Sequence, residues 1–253
     1  MIEQAKSVPV DRLISVLGGN PFTTFPYRER QSDLQGWMDA RSILFTAIER
    51  LRPELIVEVG TWKGASTVAM AQHMDKLSVP GRIVCVDTWL GGVEHMLGNE
   101  ENGNWLNLRW GWPHLYEQFL ANVMHAGVAT RIVPVPQTSH IAARLLGHLG
   151  LRPSLIYLDA SHDFMDVAID LQLYWDLLAP GGILVGDDYT IHWPGVIAAA
   201  KRHGRDQHLP MLAYRGQYVF AKGDNPLTDL CTPADLTCWD PLAERDVPIP
   251  KVA

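Results

Sequence analysis

The sequence lacks the features of several protein classes. None of its apolar runs approaches membrane-spanning length, and the first ten residues show no basic segment followed by an apolar one, as a secretory signal would. Charges are spread without blocks, and a net charge of −7 argues against a basic surface for nucleic acid. We therefore expect a soluble, cytoplasmic protein with no nucleic-acid or membrane partner, for which homo-oligomers remain an open alternative.

Cysteine is also scarce. The three cysteines, Cys85, Cys231 and Cys238, have no spacing typical of a zinc site or a disulfide framework. Cys85 lies inside an apolar run, so we expect it to be a small buried hydrophobic residue. With 47% hydrophobic and 19% charged residues among 253, the chain has the composition of a globular protein with a sizeable core.

Strand-like apolar runs alternate with helical patterns along the chain. Five such runs are followed by a predicted antiparallel hairpin that turns near Arg215 and Gly216. The runs lie within "ELIVEVG", "GRIVCVD", "TRIVPVPQTS", "LRPSLIYLDASH" and "ILVGDD". This alternation predicts one domain over residues 1–253, an α/β fold with a doubly wound, mostly parallel sheet.

Three segments interrupt the alternation. Residues 1–34 are predicted to be an irregular N-terminal extension, and the tail 224–253, rich in proline and aspartate, is predicted to be mostly loop. Residues 88–114 show no clear period and contain four tryptophans: Trp89, Trp105, Trp110 and Trp112. We interpret this segment as a lid-like insertion that places Trp105, Trp110 or Trp112 against a substrate. A loop anchored by tryptophan packing is the alternative.

Two prolines mark the third strand. Pro134 and Pro136 both lack a backbone N–H, and residues two apart on a strand direct these groups to the same side. Both missing donors therefore lie along one edge. The third strand should border the sheet.

A glycine loop follows the first strand in "VEVGTWKGAST". Gly60 allows a tight turn, and Gly64 allows a ligand to approach the helix N-terminus, although the middle glycine of the dinucleotide fingerprint is missing. Glu58 before the loop disfavours a pyrophosphate and favours a positive group, while Asp87 after the second strand suits a ribose. A ribose joined to a cationic amino acid describes S-adenosylmethionine (SAM). A tight turn that serves no ligand is the alternative.

Acidic residues also end the fourth and fifth strands. Asp159, Asp187 and Asp188 should converge at one edge of the sheet, where unpaired carboxylates would be costly. A hard divalent cation such as Mg²⁺, which prefers oxygen ligands, would remove that cost. The alternative is that one of the adjacent pair caps the following segment or that the acids are solvated, and this alternative is serious for Asp188.

These motifs resemble a known family. "VEVGTWKGAST" and "CVDTWLG" resemble the first two motifs of class I SAM-dependent methyltransferases. "YLDASH" and "GGILVGDDY" are similar to metal-dependent O-methyltransferases of the macrolide-sugar type, the macrocin and mycinamicin enzymes, and of the catechol type. The resemblance covers roughly residues 50–222. It implies a Rossmann-like, seven-stranded sheet of order 3-2-1-4-5-7-6, with strand 7 antiparallel, and the same three aspartates as metal ligands.

Catalytic and cofactor-binding roles complete the hypothesis. His162, three residues after Asp159, is the expected general base, because sugar O-methyltransferases of the similar type use a histidine there. A helix cap or a contact to Asp159 is the alternative role, and His192 is a second candidate for the base. Asp159 is expected to take part in catalysis and in cofactor binding. The expected cofactor contacts are Glu58, Gly60, Gly64, Ser66, Asp87, Thr88, Ser139 and Asp159.

The sequence therefore predicts a metal-dependent SAM O-methyltransferase. Its substrate would be a small hydroxylated molecule, such as a sugar, a glycosylated natural product or a catechol. The alternatives are a SAM- or metal-binding protein of this fold without methyl transfer, and a tailoring enzyme similar to cephalosporin hydroxylases. A nicotinamide oxidoreductase is weakened by the missing glycine.

Overall fold

The computed structural model describes residues 9–35, 42–101, 105–224, 236–240 and 242–247. Its helices α1 to α8 are Pro9–Val16, Ile43–Leu51, Ala65–Lys76, Val93–Glu101, Leu115–His125, Ser139–His148, Phe164–Leu177 and Pro194–Gln207. Its strands β1 to β9 are Leu55–Val59, Arg82–Asp87, Ile132–Pro136, Leu155–Leu158, Ile183–Gly186, Met211–Tyr214, Gln217–Ala221, Leu236–Asp240 and Arg245–Val247. In these parts of the chain, every helix is too short or too polar to cross a bilayer.

The strands form one sheet of order β3-β2-β1-β4-β5-β7-β6-β8-β9. Strands β1 to β5 pair in parallel, and β7 lies antiparallel to both β5 and β6. The predicted order of seven strands is confirmed. The parallel part places the ends of β1, β2, β4 and β5 at one edge, where the acidic residues lie.

Two additional strands extend the sheet within the tail. Within 224–253, predicted to be mostly loop, β8 pairs antiparallel with β6 and β9 pairs with β8. Trp239 and Cys238 of β8 are buried, because they cover the edge of β6 that a seven-stranded sheet would expose. Cys231 lies outside the described residues.

The N-terminal extension also contains regular structure. Residues 9–16 form α1, where an irregular segment was expected, and Leu13 is fully buried. Apolar side chains at Leu13, Ile14 and Leu17 recur at helical spacing and pack against the sheet and its helices. The proline and glycine residues that follow obscured this short pattern.

The third strand lies at the edge of the sheet, as its prolines predict. Pro134 is aligned with Cys85, and Pro136 with Asp87, while the opposite side of β3 has no neighbouring strand among the described residues. The missing N–H groups are therefore tolerated there.

Alternating strand residues form two core layers. Ile56, Ile83 and Cys85 face α2, α3 and α5, whereas Val57 and Val84 face α1, α6, α7 and α8. Cys85 is fully buried and is a free thiol, as expected. Helices thus cover both faces of the sheet, so its carboxyl edge is the surface left for a ligand.

Candidate active site

A cleft of about 930 Å³ opens at the carboxyl ends of the parallel strands. Its walls come from the glycine loop, the ends of β2 to β5, and the starts of α4 and α6. Eight acids line it, whereas no lysine or arginine does among the described residues. The acids are Asp87, Glu94, Asp159, Asp163, Asp166, Asp170, Asp187 and Asp188. A cleft with this charge favours a cationic ligand.

The glycines of the loop are required by packing. Gly60 has a φ of +81°, and a Cβ there would lie 1.9 Å from the backbone oxygen of Asp159. Gly64 has a φ of +88°, and its Cβ would lie 3.0 Å from the ring of Phe119. Gly60 lines the cleft, whereas Gly64, the N-cap of α3, is not among the lining residues. The turn therefore brings the backbone of the loop into direct contact with the backbone at the end of β4.

Glu58 is fully buried below this loop. Its carboxylate accepts hydrogen bonds from the hydroxyls of Ser66 and Thr67. Burial raises the pKa of Glu58 from 4.5 to about 7. Ser66 lines the cleft and Glu58 does not, so the hydroxyl stands between the carboxylate and any ligand.

Asp87 organises the loop. Its Oδ2 accepts hydrogen bonds of 2.9 Å from the backbone N–H groups of Thr61 and Trp62, and its Oδ1 accepts one of 2.7 Å from Trp89. Burial raises the pKa of Asp87, while these three bonds oppose that rise. Asp87 and Thr88 both line the cleft, as the predicted ribose site requires.

Asp159, His162 and Asp188 form a cluster at the ends of β4 and β5. One ligand-type atom from each lies within 4.8 Å of the others. The Nε2 atom of His162 lies 2.8 Å from Oδ2 of Asp188, which follows β5 with a φ of +58°. The structure thus places His162, rather than Asp187, with the two predicted ligands.

Asp187 turns toward protein donors. Its Oδ1 accepts a 2.8 Å hydrogen bond from the N–H of Asp188, and its Oδ2 accepts bonds from Gln217 at 3.1 Å and from the hydroxyl of Tyr157. That hydroxyl, which has one proton, also lies 3.1 Å from Oδ2 of Asp159. Asp187 therefore uses most of its acceptor positions on protein donors and keeps a second lone pair on Oδ1.

The cluster fits a divalent cation. Burial and then the neighbouring carboxylates raise the pKa of Asp159 well above its ordinary value, and burial also raises the pKa of Asp187. Carboxylates crowded in this way gain stability from a positive partner. Their oxygens, with an imidazole nitrogen, are ligands that hard and borderline divalent metals accept.

His162 is held in place by its neighbours. Its ring stacks on Trp193 with centroids 3.9 Å apart, and its Nδ1 lies 4.0 Å from a carboxylate oxygen of Glu94. It lines the cleft next to Asp159. His192, the second candidate for the base, is exposed and is not among the cleft-lining residues.

The insertion at 88–114 reaches the cleft through α4. His95 stacks on Trp62 of the glycine loop at 4.3 Å, and its Nδ1 accepts a 2.9 Å hydrogen bond from Gly92. Trp105 lines the cleft, whereas the exposed Trp110 and Trp112 lie outside it. Residues 102–104 lie outside the described residues. Of the three proposed substrate-facing tryptophans, the structure brings only Trp105 to the cleft.

Comparison with known families decides the identity of the fold. A family model described as a methyltransferase domain matches residues 57–189, just over half of the chain. The chain belongs to this methyltransferase family. The match runs from β1 to the residue after Asp188 and so includes the glycine loop, Asp87 and the acidic cluster. A search of curated protein sequences found no match.

Several solved structures share the fold of this methyltransferase. The O-methyltransferase NovP has a TM-score of 0.57 and 14% identity, covering 85% of this chain and 97% of its own. The calicheamicin methyltransferase CalS11 has a TM-score of 0.52 and 21% identity, with 85% and 92% covered. TomG from Streptomyces achromogenes, an O-methyltransferase of tomaymycin synthesis solved with SAM, has a TM-score of 0.51 and 17% identity, with 88% and 100% covered.

Sequence reasoning missed several residues of this methyltransferase site. Tyr157 lies two positions before Asp159, so strand alternation places both side chains on the same face, a signal that was available. Gln217 gave no such signal, because it comes from the hairpin 30 positions after Asp187. Glu94, His95 and Trp193 reach the cleft from segments without a recognisable motif.

Proposed function

We propose that this methyltransferase transfers a methyl group from SAM to a hydroxyl of a small molecule and that a divalent cation such as Mg²⁺ assists. The observation that carries the proposal is the acidic cleft, in which the glycine loop, Asp87 and the cluster at β4 and β5 meet without a lysine or arginine. A sulfonium, an ammonium and a metal ion are all cations. Each would offset part of this charge.

The cofactor contacts follow the edge of the sheet. Gly60, Thr88 and Ser139 line the cleft beside Asp87, so a nucleoside could extend from the loop toward the end of β3. Ser66, backed by Glu58, would receive the amino-acid end of SAM. The solved complex of TomG with SAM supports this choice of cofactor.

Asp159 and Asp188 would hold the cation, joined by His162 or by the free lone pair of Asp187. Bound there, the cation would lower the pKa of a substrate hydroxyl, and SAM would supply the methyl group. The chain itself positions the reacting groups. Stacking on Trp193 and the contact with Asp188 fix the ring of His162 at the mouth of the cleft.

His162 would act as the general base. A hydrogen bond from its Nε2 to Asp188 leaves Nδ1 as the acceptor of a substrate proton. The pairing of an imidazole with a carboxylate that orients it is common among catalytic bases. If His162 instead binds the cation, the base lies elsewhere in the cleft.

The insertion 88–114 would act as a lid over the acceptor. Val93, Glu94 and His95 of α4 already line the cleft, together with Trp105. Limited proteolysis should show slower cleavage within 88–114 when S-adenosylhomocysteine is added. Unchanged cleavage there, while the ligand measurably binds, would contradict the lid.

Calorimetry and turnover test the function together. SAM and S-adenosylhomocysteine should bind with micromolar affinity, of order −8 kcal/mol, and labelled SAM should methylate members of a panel of glycosylated and catechol acceptors. A chelator should abolish turnover, and added Mg²⁺ should restore it. Asp159→Asn should lose turnover but bind SAM normally, while Asp176→Asn, at an exposed position of α7 outside the cleft, should keep both.

Two outcomes would overturn the proposal. Preferential binding of NAD, unaffected by Asp87→Ala, would exclude SAM as the cofactor. Full turnover in excess chelator would exclude a role for the metal, although methyl transfer itself would still stand.

A further inference from the structure

The carboxylate of Asp187 has one acceptor position left for a ligand. An ionised carboxylate has about four such positions, two on each oxygen. Both positions on Oδ2 are used, since Nε2 of Gln217 donates a hydrogen bond of 3.1 Å and the hydroxyl of Tyr157 donates another. The N–H of Asp188 uses one position on Oδ1, at 2.8 Å. Among the described residues, no protein donor occupies the second position on Oδ1.

The amide of Gln217 has a fixed orientation. Its Oε1 accepts hydrogen bonds from the hydroxyl of Ser42 at 2.9 Å and from the N–H of Ile43 at 3.1 Å, at the start of α2. A flipped amide would place its NH₂ group against these two donors and its oxygen against Asp187. Gln217 and Ser42 are both buried, so water does not replace bonds lost in this way. The NH₂ group therefore stays on Asp187.

Asp187 stands between two members of the acidic cluster. Its backbone N–H donates a 2.9 Å hydrogen bond to the carbonyl of Leu158, the residue before Asp159. The hydroxyl of Tyr157 that binds Oδ2 of Asp187 also lies 3.1 Å from Oδ2 of Asp159, and its contact with Asp187 is the shorter. A cation held by Asp159 and Asp188 would therefore meet Asp187 as well. The free positions on Asp187 then decide how it can bind that cation.

The number of free positions on a carboxylate favours one class of cation over another. Ca²⁺ takes about six to eight oxygen ligands and accepts both oxygens of one carboxylate. Mg²⁺ is smaller, requires an octahedral arrangement and keeps several waters. A carboxylate with one free position can thus serve Mg²⁺, but it cannot bind Ca²⁺ through both oxygens.

We infer that Gln217 limits Asp187 to a single ligand oxygen and thereby makes the cation site of this methyltransferase selective for Mg²⁺ over Ca²⁺. Gln217 acts through Asp187 and is therefore a positioning residue. The inference rests on the cation of the proposed function. It adds the residue that determines which cation is preferred.

Calorimetry with magnesium chloride and calcium chloride, in the absence of SAM and acceptor, tests the inference. The wild-type protein should bind Mg²⁺ more tightly than Ca²⁺. Gln217→Met keeps the length of the side chain but removes its donor, so a position on Oδ2 opens and Ca²⁺ can use both oxygens. The ratio of the Ca²⁺ affinity to the Mg²⁺ affinity should then rise about tenfold. Tyr157→Phe removes the other donor on Oδ2 and should raise the same ratio.

Gln207→Met is the matched control. Gln207 lies at the exposed end of α8, outside the cleft, so the same substitution there should leave the ratio unchanged. A general loosening of the site would weaken the binding of both cations equally and would not change their ratio.

Three outcomes would contradict the inference. An unchanged ratio in either folded variant, Gln217→Met or Tyr157→Phe, would overturn it while leaving the proposed function intact. Tighter binding of Ca²⁺ than of Mg²⁺ by the wild type would overturn it even if both variants failed to fold. Binding of neither cation by the wild type would overturn the metal site of the proposed function and this inference with it.

Discussion

Glu58 shows how the fold changes the properties of a single residue. Its carboxyl is fully buried, with a pKa of about 7 against 4.5 in an unfolded chain. Between these values the folded protein retains a proton that the unfolded chain releases. The contribution of Glu58 to the free energy of unfolding is therefore fully present below both pKa values. It decreases as the pH rises from the unfolded to the folded pKa, and it changes no further above the folded pKa.

Glu58→Gln should remove this dependence. Relative to wild type, the free energy of unfolding of the variant should rise by up to about 3 kcal/mol between pH 4.5 and 7. Urea denaturation at several pH values measures the difference. Glu54→Gln, at an exposed position just before β1, should follow the wild-type profile. If the free energies of unfolding of Glu58→Gln and wild type changed with pH in parallel, burial would not raise the pKa of Glu58.

A substitution of His162 tests the proposed general base, again at the scale of a single residue. Loss of a general base costs about 10²–10⁴-fold in rate, so His162→Ala should reduce kcat by such a factor while its affinity for SAM stays unchanged. His192→Ala, outside the cleft, should retain the wild-type kcat.

Metal affinity separates the two roles open to His162. Unchanged affinity for Mg²⁺ in His162→Ala would support the base, whereas a large loss would identify the residue as a ligand, as its grouping with Asp159 and Asp188 allows. A wild-type kcat in this variant would exclude both roles.

Strand β8 is an element that the sequence pattern does not reveal. Its sequence, Leu236–Asp240, is too short to stand out among the prolines and aspartates of the tail. It becomes a strand because β6 offers an unpaired edge and because Trp239 packs against Gly204 of α8. The ring of Trp239 also lies beneath the ammonium group of Lys201, 5.6 Å from it.

Trp239→Ala should therefore destabilise the protein by about 3–5 kcal/mol, the usual cost of removing a buried aromatic side chain. Leu242→Ala, in the exposed turn between β8 and β9, is the matched control and should change stability little. Thermal or urea denaturation compares the two. Equal stability of both variants would mean that β8 contributes little to the sheet.

The whole molecule combines a well-covered sheet with an acidic cleft at one edge. A ligand that binds only the folded protein should stabilise it by about 2.7 kcal/mol at a hundredfold excess over Kd. For a chain of this size, the Tm should rise by about 5–10 °C with S-adenosylhomocysteine. Differential scanning fluorimetry measures the shift, and NAD at the same concentration should give none. A shift with NAD alone would exclude the proposed cofactor.

The sequence by itself determined the main architecture. Periodicity identified the alternating strands and helices, and Pro134 and Pro136 assigned β3 to an edge, which the strand order confirms. The acidic residues at the strand ends could also be placed together from the sequence, because parallel strands carry their carboxyl ends to one edge. These inferences succeed because they depend on backbone geometry and local pattern alone.

Only the tertiary structure decided which of those side chains meet. Asp187 is drawn toward Gln217, whose Oε1 in turn accepts a 2.9 Å hydrogen bond from Ser42, 175 positions away in the chain. His162 is consequently the residue grouped with Asp159 and Asp188. The orientation of a carboxylate depends on whichever donors and rings the fold brings beside it. Partners so distant in sequence leave no local pattern from which that orientation could be read.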